Sequence, residues 1–226
     1  AVLSAFFKSL DIDHMQVSDL ALREGLLYEM IGHVQHVDVR DTTVRAVMQR
    51  FGIDKKQAGR VERTALSLLQ QVREAWQLDD PEHERMLSWA ANLHEIGLVI
   101  AHGSFHKHSA YILANADLPG FSREQQAQLA ALVRVHRRKF SCTEFEALAE
   151  PSRASARRLA LLLRLSVMMH RGRSGSHKPP MRVQVDDRQI RLEFPDDWLA
   201  EHPLTEAELS READYLANAG FTLQYA

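Results

Sequence analysis

Apolar residues recur at helical spacing along most of the 226-residue chain. Asp41 is placed to cap a helix over residues 42–51, which Gly52 ends, and Asp54 is placed to cap a longer helix that reaches Trp76. In the longer helix the apolar positions share one face, as in helices that pack against a core. This pattern predicts two amphipathic helices with clear starts and stops.

Four more helices are predicted further along the chain. Pro81 opens the first of them and Gly97 ends it, and the others cover about residues 106–116, 122–136 and 151–170. The last of these is apolar nearly all round, so it leaves little surface for water. We therefore expect it to be the central helix of a bundle.

Two polar pairs have the spacing of capping boxes, in which the paired side chains satisfy each other's backbone N–H groups. Ser122 pairs with Gln125 at the start of a helix predicted above. Thr205 pairs with Glu208 at the start of a further helix, which reaches about Ala219. The two pairs predict where these helices begin.

The apolar period changes to two after a segment rich in Gly, Ser and Pro, residues 171–180. Residues 181–185 and 190–194 alternate apolar and polar side chains on either side of a turn at residues 186–189, which predicts an antiparallel hairpin. Residues 221–225 predict a closing strand. With the helix between them, these strands make a small ββαβ module.

The first thirty residues predict a helix over residues 2–10, a short strand over residues 14–17 and a second helix over residues 21–30. A single strand needs neighbours, because its backbone N–H and C=O groups are otherwise unpaired. This segment is therefore interpreted as the remnant of a larger domain.

Composition excludes several classes of protein. With 45% hydrophobic and 26% charged residues, the chain is typical of a globular protein. It has neither an apolar run long enough for a membrane nor the pattern of a signal peptide, so we expect no membrane partner and a cytoplasmic location. The lone Cys142 cannot form an internal disulfide. A net charge of −2 argues against nucleic acid as a partner.

His94 and Glu95 end an apolar helix and form, with His108 and His136, a possible set of metal ligands. A divalent metal in a phosphohydrolase needs several imidazole and carboxylate ligands from different helices. The set resembles the HD superfamily, in which a first His, a His-Asp pair and a later Asp hold one or two metals.

Three positions depart from the HD pattern. Gln57 stands at the first His, Glu95 at the Asp of the pair, and Val167 at the last Asp. Valine has no atom that can bind a metal. The remaining His and Glu side chains could still hold one, whereas an HD fold kept for packing alone explains the losses more simply. Both interpretations stay open.

A longer resemblance covers nearly the whole chain. Ser18–Met30, with the sequence SDLALREGLLYEM, is similar to the signature that ends the actin-like fold in the exopolyphosphatase / guanosine pentaphosphate phosphohydrolase family. Further motifs similar to that family follow in the same order at His36–Arg40, Trp89–Gly97, His106–Leu113, Asp117–Phe121 and Leu132–Arg138.

The resemblance implies a mainly α fold in three parts. Residues 1–30 would be the tail of an actin-like domain, residues 31–172 an HD-like multi-helix domain, and residues 173–226 a small C-terminal α+β module. The family hydrolyses the terminal phosphate of polyphosphate or guanosine pentaphosphate, and the sequence does not distinguish these two substrates. Its catalytic Glu, its Gly-rich phosphate loops and its Mg²⁺ lie in upstream domains, so no catalytic residue is carried over to this chain.

Relatives use this part of the protein to dimerise and to hold polyphosphate, so we expect a homodimer and a substrate-holding role. Polyphosphate is a dense line of negative charge that needs a row of Lys and Arg. The densest cluster comprises Arg134, Arg137, Arg138 and Lys139, with Lys107 expected nearby. We predict that these residues bind polyphosphate, and a solvated charged face is the alternative.

Three functions remain open from the sequence. The first is an accessory region of a phosphoric-anhydride hydrolase. The second is an independent metal-dependent HD-type phosphohydrolase with a degenerate site. The third is a purely structural or regulatory module.

Overall fold

The computed structural model describes residues 38–150, 152–173 and 181–226. The chain divides into two compact units, residues 1–38 and residues 39–226, and the described residues belong almost entirely to the second. The elements predicted within residues 1–30, and most of the predicted linker, lie outside the described residues. The three domain boundaries stay predictions.

The larger part of the second unit is helical, which confirms the mainly α class. Its helices are α1 (Val39–Arg50), α2 (Lys55–Val72), α3 (Pro81–Leu93), α4 (Phe105–Asn115), α5 (Arg123–Arg134) and α6 (Ser152–Met169). Two short 3-10 helices, Ile96–Val99 and Cys142–Phe145, join successive helices. Among the described residues, no helix is both long and apolar enough to cross a membrane.

The C-terminal part is a three-stranded sheet with helices on its connection. Its elements are β1 (Arg182–Asp186), β2 (Gln189–Glu193), α7 (Trp198–Glu201), α8 (Pro203–Ala217) and β3 (Thr222–Tyr225). Strands β1 and β2 pair antiparallel, and β3 pairs parallel to β2, so the strand order is β1-β2-β3. The predicted hairpin and closing strand are both confirmed.

Local signals fix the start of several helices. Asp54 accepts hydrogen bonds from the backbone N–H groups at the start of α2, at 3.0 Å each. Pro81 occupies the first turn of α3, where its missing N–H costs no hydrogen bond. Ser122 and Gln125 form the predicted capping box at the start of α5. These predictions from the sequence are confirmed.

Two predicted starts are wrong. Helix α1 begins before Asp41, whose carboxylate instead accepts a hydrogen bond of 2.7 Å from the indole N–H of Trp89. Helix α8 begins at Pro203, so Thr205 lies inside it and does not cap it. In the first case a contact distant in sequence takes the capping group, and in the second proline starts the helix two residues earlier.

Helix α6 is the central helix, as predicted. All its residues from Leu159 to Met169 are buried, and the helix packs against α2, α3 and α5. The one charged side chain in that stretch, Arg164, forms a salt bridge with Glu212 of α8. This buried pair joins the helical part to the C-terminal part.

Side chains of the helical part also hold the sheet in place. The indole N–H of Trp76 donates a hydrogen bond of 3.1 Å to the carbonyl oxygen of Asp187 in the hairpin turn. Along the edge of β1, the side chain of Gln71 accepts from the N–H of Val183 at 2.9 Å and donates to the carbonyl oxygen of Met181 at 3.3 Å. The sheet is therefore fixed against α2 and the loop that follows it.

Candidate functional site

A cavity of about 420 Å³ lies where the start of α4 meets the end of α5. We call it the basic pocket. It is lined by Ser104, His106, Lys107, Arg134, Val135, Arg138, Lys139, Ser141 and Glu144. Four of the five residues predicted to bind polyphosphate are therefore brought together around one cavity.

The packing of two neighbouring helices places these cations. Lys107 lies in the first turn of α4, and Arg134 is the last residue of α5. Close packing of α4 against α5 brings the two side chains to one end of the pair. The sequence shows only that both are basic, and the helix pairing is what makes them neighbours.

The loop after α5 is held in an unusual backbone conformation. Arg138 has a φ of +64°, the left-handed region that non-glycine residues seldom adopt. The buried guanidinium of Arg164 compensates, because it donates hydrogen bonds to the carbonyl oxygens of Val135 and Arg138. Arg164 thus positions the loop that carries Arg138 and Lys139.

The basic pocket carries an excess of positive charge. Among the described residues, Glu144 is the only carboxylate in its lining, and it lies 3.3 Å from Nε of Arg134. In the described part of the chain, Lys107, Arg138 and Lys139 form no salt bridge. A pocket of this kind attracts anions, because its cations are not neutralised by neighbouring carboxylates.

His106 forms a buried polar wall of the pocket. Its side chain is only 5% exposed, and its Nδ1 atom has no hydrogen-bond partner among the described residues. Burial, followed by the charges of Arg134 and Arg137, lowers the pKa of His106 to about 4. The imidazole is therefore neutral at neutral pH. Nothing in the sequence marks His106 as buried, and this residue is not among those predicted to bind polyphosphate.

Arg137, the fifth residue predicted to bind polyphosphate, does not line the basic pocket. Its guanidinium carbon lies 4.6 Å above the ring of Phe105. Burial is the main cause that lowers the pKa of Arg137, with Arg171 and Arg138 adding to the effect. The cation is thus held against an aromatic face.

Two of the predicted metal ligands, His94 and His136, face each other edge to face with ring centroids 5.2 Å apart. Their Nδ1 atoms lie 2.7 Å and 2.6 Å from the carbonyl oxygens of Ala91 and Val133. A carbonyl oxygen only accepts, so both Nδ1 atoms carry the proton and both Nε2 atoms carry a lone pair. Burial lowers the pKa of each ring, and both are neutral.

The other two predicted ligands are placed differently. The carboxylate of Glu95 lies 3.9 Å from Nε2 of His94 and accepts a hydrogen bond of 2.5 Å from Arg173. His108 is half-buried in the first turns of α4. Across residues 38–150, 152–173 and 181–226, no group of three or more His, Cys, Asp or Glu side chains is arranged to hold a metal ion. The metal site stays a prediction.

Gln57, which stands where the HD pattern has its first His, has a structural contact instead. Its side-chain amide donates a hydrogen bond of 2.8 Å to the carbonyl oxygen of His170, at the end of α6. Its amide oxygen accepts from Arg60 at 2.6 Å. The amide thus ties the first turn of α2 to the central helix.

Gly97 lies in the 3-10 helix that follows α3 and lets this segment approach the start of α4. A Cβ at this position would lie 2.3 Å from the carbonyl oxygen of Phe105 and 2.4 Å from the backbone nitrogen of Ser109. The N–H of Gly97 donates to the hydroxyl of Ser109 at 2.9 Å, and that hydroxyl donates to the carbonyl oxygen of His94. This close approach ties the carbonyl group of His94 and the 3-10 helix to the first turns of α4, which carry His106.

The chain is similar to one region of a known protein family. A family model described as Ppx/GppA phosphatase, domain III, matches residues 39–213. A relative named guanosine-5'-triphosphate,3'-diphosphate pyrophosphatase from Pseudoalteromonas translucida (strain TAC 125) is 37% identical over 223 residues, which is 99% of this chain and 45% of the relative.

Two other proteins of the same name are similarly related. The one from Pseudoalteromonas atlantica is 40% identical, over 94% of this chain and 42% of its own length. The one from Photobacterium profundum is 38% identical, over 99% of this chain and 44% of its own length. The chain thus spans less than half the length of these curated relatives.

Proposed function

Because the chain belongs to the Ppx/GppA phosphatase family, we propose that it is the C-terminal accessory region of a phosphohydrolase that acts on guanosine pentaphosphate or polyphosphate. The bond-breaking step would occur in upstream domains, and any Mg²⁺ would be held there. This region would contribute a surface that holds the phosphate chain of the substrate. The names of the relatives favour guanosine pentaphosphate as that substrate.

The basic pocket is the observation that carries the proposal. Lys107, Arg138 and Lys139 line it without a salt-bridge partner in the described residues, and Arg134 has one partner at its edge. The planar guanidinium of an arginine presents paired N–H donors that match two phosphate oxygens, and such charge-assisted bonds are the strong ones. A phosphate chain in the pocket would supply the missing acceptors.

His106 supports the same assignment. Its Nδ1 atom is buried beside the cations without a partner, which is unfavourable unless a ligand supplies one. A neutral imidazole can donate from one nitrogen and accept at the other. A phosphate oxygen at the pocket wall would therefore satisfy this ring as well as the cations.

The test is a calorimetric titration of the chain with inorganic tripolyphosphate at low and high salt. We expect binding that weakens with salt, because the exposed cations are screened. In the Arg138→Ala/Lys139→Ala double variant the affinity should fall about tenfold or more, since each lost bond to a charged group contributes about 1.5 to 3 kcal/mol. The matched control is Lys55→Ala/Lys56→Ala, which removes two exposed cations outside the basic pocket.

Two outcomes would refute the proposal. One is no binding of tripolyphosphate at low salt. The other is an equal loss of affinity in the two double variants, because that would make the effect one of net charge alone.

The alternative of an independent metal-dependent HD-type phosphohydrolase has one observation in its favour. The Nε2 atoms of His94 and His136 are buried and lack a hydrogen-bond partner among the described residues. Against it stands the contact of Glu95 with Arg173, which occupies the carboxylate. Metal analysis and a phosphatase assay on the purified chain distinguish the two functions, because the accessory role predicts neither metal nor turnover.

We also propose a homodimer in the cytoplasm. Val99 and Ile100, at the end of a 3-10 helix, are 61% and 54% exposed and offer apolar area for a second copy. Sedimentation velocity on the chain and on the Val99→Ser/Ile100→Ser variant tests this. Association that is absent, or that the variant leaves unchanged, would rule out a dimer through these residues.

A purely structural or regulatory module would dimerise without binding tripolyphosphate.

A further inference from the structure

A second cavity, of about 230 Å³, lies between the helical part and the C-terminal part of residues 39–226. We call it the seam pocket. Its walls include Arg157 and Arg158 from the first half of α6, Asp187 and Arg188 from the hairpin turn, and Cys142 from a 3-10 helix. None of these residues belongs to the basic pocket.

The three arginines of the seam pocket are not neutralised. In the part of the chain that the structure describes, none of them forms a salt bridge. Elsewhere in the same residues arginines pair with glutamates, as in Arg40 with Glu82, Arg73 with Glu84 and Arg171 with Glu208. Within the described residues, the lining of the seam pocket has the single carboxylate of Asp187, so its cations outnumber its anions.

One donor among these arginines is buried without an acceptor in the described residues. The Nε atom of Arg157 is buried and has no hydrogen-bond partner among the described residues. Arg158 donates one hydrogen bond of 2.7 Å, to the carbonyl oxygen of Trp76. Buried donors are normally satisfied by protein groups, water or a ligand, so this Nε atom beside the cavity is available to a ligand that accepts.

The backbone around the seam pocket is held in place before any ligand binds. The carbonyl oxygen of Asp187 accepts from the indole of Trp76 at 3.1 Å, and that of Arg188 accepts from the N–H of Thr222 at 2.9 Å. Asp187 has a φ of +45°, a conformation that costs energy in a non-glycine residue. A pre-organised turn lowers the entropic cost of binding.

We propose that the seam pocket binds a small phosphate-type anion, orthophosphate or pyrophosphate, between the arginines of α6 and Arg188. Its volume is smaller than the roughly 300 to 1,000 Å³ of pockets for drug-sized molecules, which favours a small anion over a nucleotide. Arginine forks match the oxygens of a tetrahedral phosphate. An anion that contacts both α6 and the hairpin turn would fasten the C-terminal part to the helices.

Cys142 provides a reporter for this pocket, because it lines the cavity and is the only cysteine of the chain. The rate of its alkylation by iodoacetamide, a neutral reagent, is measured with and without pyrophosphate. A bound anion blocks access, so at ten times the dissociation constant the rate should fall roughly tenfold. Sodium chloride at the same ionic strength should leave the rate unchanged.

Variants test whether the protection of Cys142 depends on the arginines of the seam pocket. Arg157→Ala/Arg188→Ala should abolish the protection of Cys142, whereas Arg138→Ala/Lys139→Ala, which removes two cations from the basic pocket, should retain it. Arg188 is exposed, so Arg188→Glu alone tests the pocket with little risk to folding and should also remove the protection. Protection that survives in Arg188→Glu, or that chloride reproduces, would overturn the proposal.

Calorimetry decides the matter if Cys142 reacts too slowly to follow. In the Arg138→Ala/Lys139→Ala background, pyrophosphate should still bind at one site, and adding Arg188→Glu should remove that binding. If pyrophosphate does not bind to the Arg138→Ala/Lys139→Ala variant, the proposed anion site in the seam pocket is refuted. The proposal for the basic pocket is unaffected by that result.

Discussion

Arg164 and Glu212 form a salt bridge that is almost wholly removed from water, with side chains 1% and 8% exposed. Two nitrogens of the guanidinium donate to the two carboxylate oxygens, and the remaining donors reach backbone carbonyl groups of the loop after α5. The pair therefore links three parts of the fold: the central helix, the loop that carries Arg138, and helix α8.

Removing the Glu212 carboxylate should lower the free energy of unfolding substantially. Glu212→Ala leaves the Arg164 charge buried without a partner, and we expect a loss of about 3 to 5 kcal/mol in the free energy of unfolding. The measurement is urea denaturation followed by circular dichroism. The matched control is Glu208→Ala on the same helix, whose salt bridge with the half-exposed Arg171 should contribute less than about 1 kcal/mol. Equal losses in the two variants would contradict the prediction.

Replacing Gly97 with alanine should weaken ligand binding in the basic pocket, although Gly97 does not line that pocket. Gly97→Ala places its Cβ against the backbone of Phe105 and Ser109, so α4 has to move. We expect a loss of about 1 to 3 kcal/mol in unfolding free energy, together with weaker binding of tripolyphosphate, because α4 carries Lys107 and His106.

The control for that substitution is Gly103→Ala. A Cβ at Gly103 meets no atom of the described residues within 4 Å, although Gly103 lies only two positions before α4. Its stability and its affinity should match those of the unmodified chain. If Gly97→Ala behaves like Gly103→Ala, the close approach at Gly97 is not needed for the site.

The buried histidines predict how stability depends on pH. Burial lowers the pKa values of His94, His106 and His136 in the folded chain below the ordinary value of 6.5. At a pH between the lowered pKa in the folded chain and the ordinary pKa in the unfolded chain, the unfolded chain binds more protons. Protonation therefore favours unfolding. The free energy of unfolding should therefore be highest above pH 6.5 and fall as the pH is lowered, with the contribution of His106 ending near its pKa of about 4.

Chemical denaturation between pH 7 and about 4.5 measures this slope, in a range above the ordinary pKa of glutamate. His106→Gln should reduce the slope, and His102→Gln, which replaces an exposed histidine, serves as the matched control. Stability that stays constant over this range would show that the three rings are not held neutral by burial.

Asp54 caps α2 and also contacts Arg173, and two substitutions distinguish the contributions of these two contacts to stability. Asp54 accepts two backbone N–H groups at the helix start and also lies 3.2 Å from Arg173. Asp54→Ala should lower the unfolding free energy by about 0.5 to 2 kcal/mol, whereas Asp54→Asn, which still caps, should lose much less. If both variants lose the same amount, the contact with Arg173 and not the cap supplies the stability.

Helix starts were predictable from the sequence where the signal is local. Asp54, Pro81 and the pair of Ser122 with Gln125 act within one turn of the chain, and each was identified correctly. Asp41 was misassigned because its carboxylate is taken by Trp89, which is 48 residues away. A contact of that separation leaves no local pattern.

The site was predictable only in part for the same reason. The run of basic residues after α5 marked Arg138 and Lys139, but it did not show that Arg137 lies over Phe105 while its neighbour lines the basic pocket. His106 became part of the site only through the packing of α4 on α5. No pattern in the sequence predicts the seam pocket, because its arginines come from segments about thirty residues apart.

Gln71 has a further consequence for how copies of this chain can meet. Its amide supplies a donor and an acceptor to β1, in the manner of one residue of an adjoining strand. An uncovered strand edge is a template on which other molecules can add strands and aggregate. With two backbone groups of this border already paired with a helix side chain, continuation of the sheet from one molecule to the next is hindered at β1.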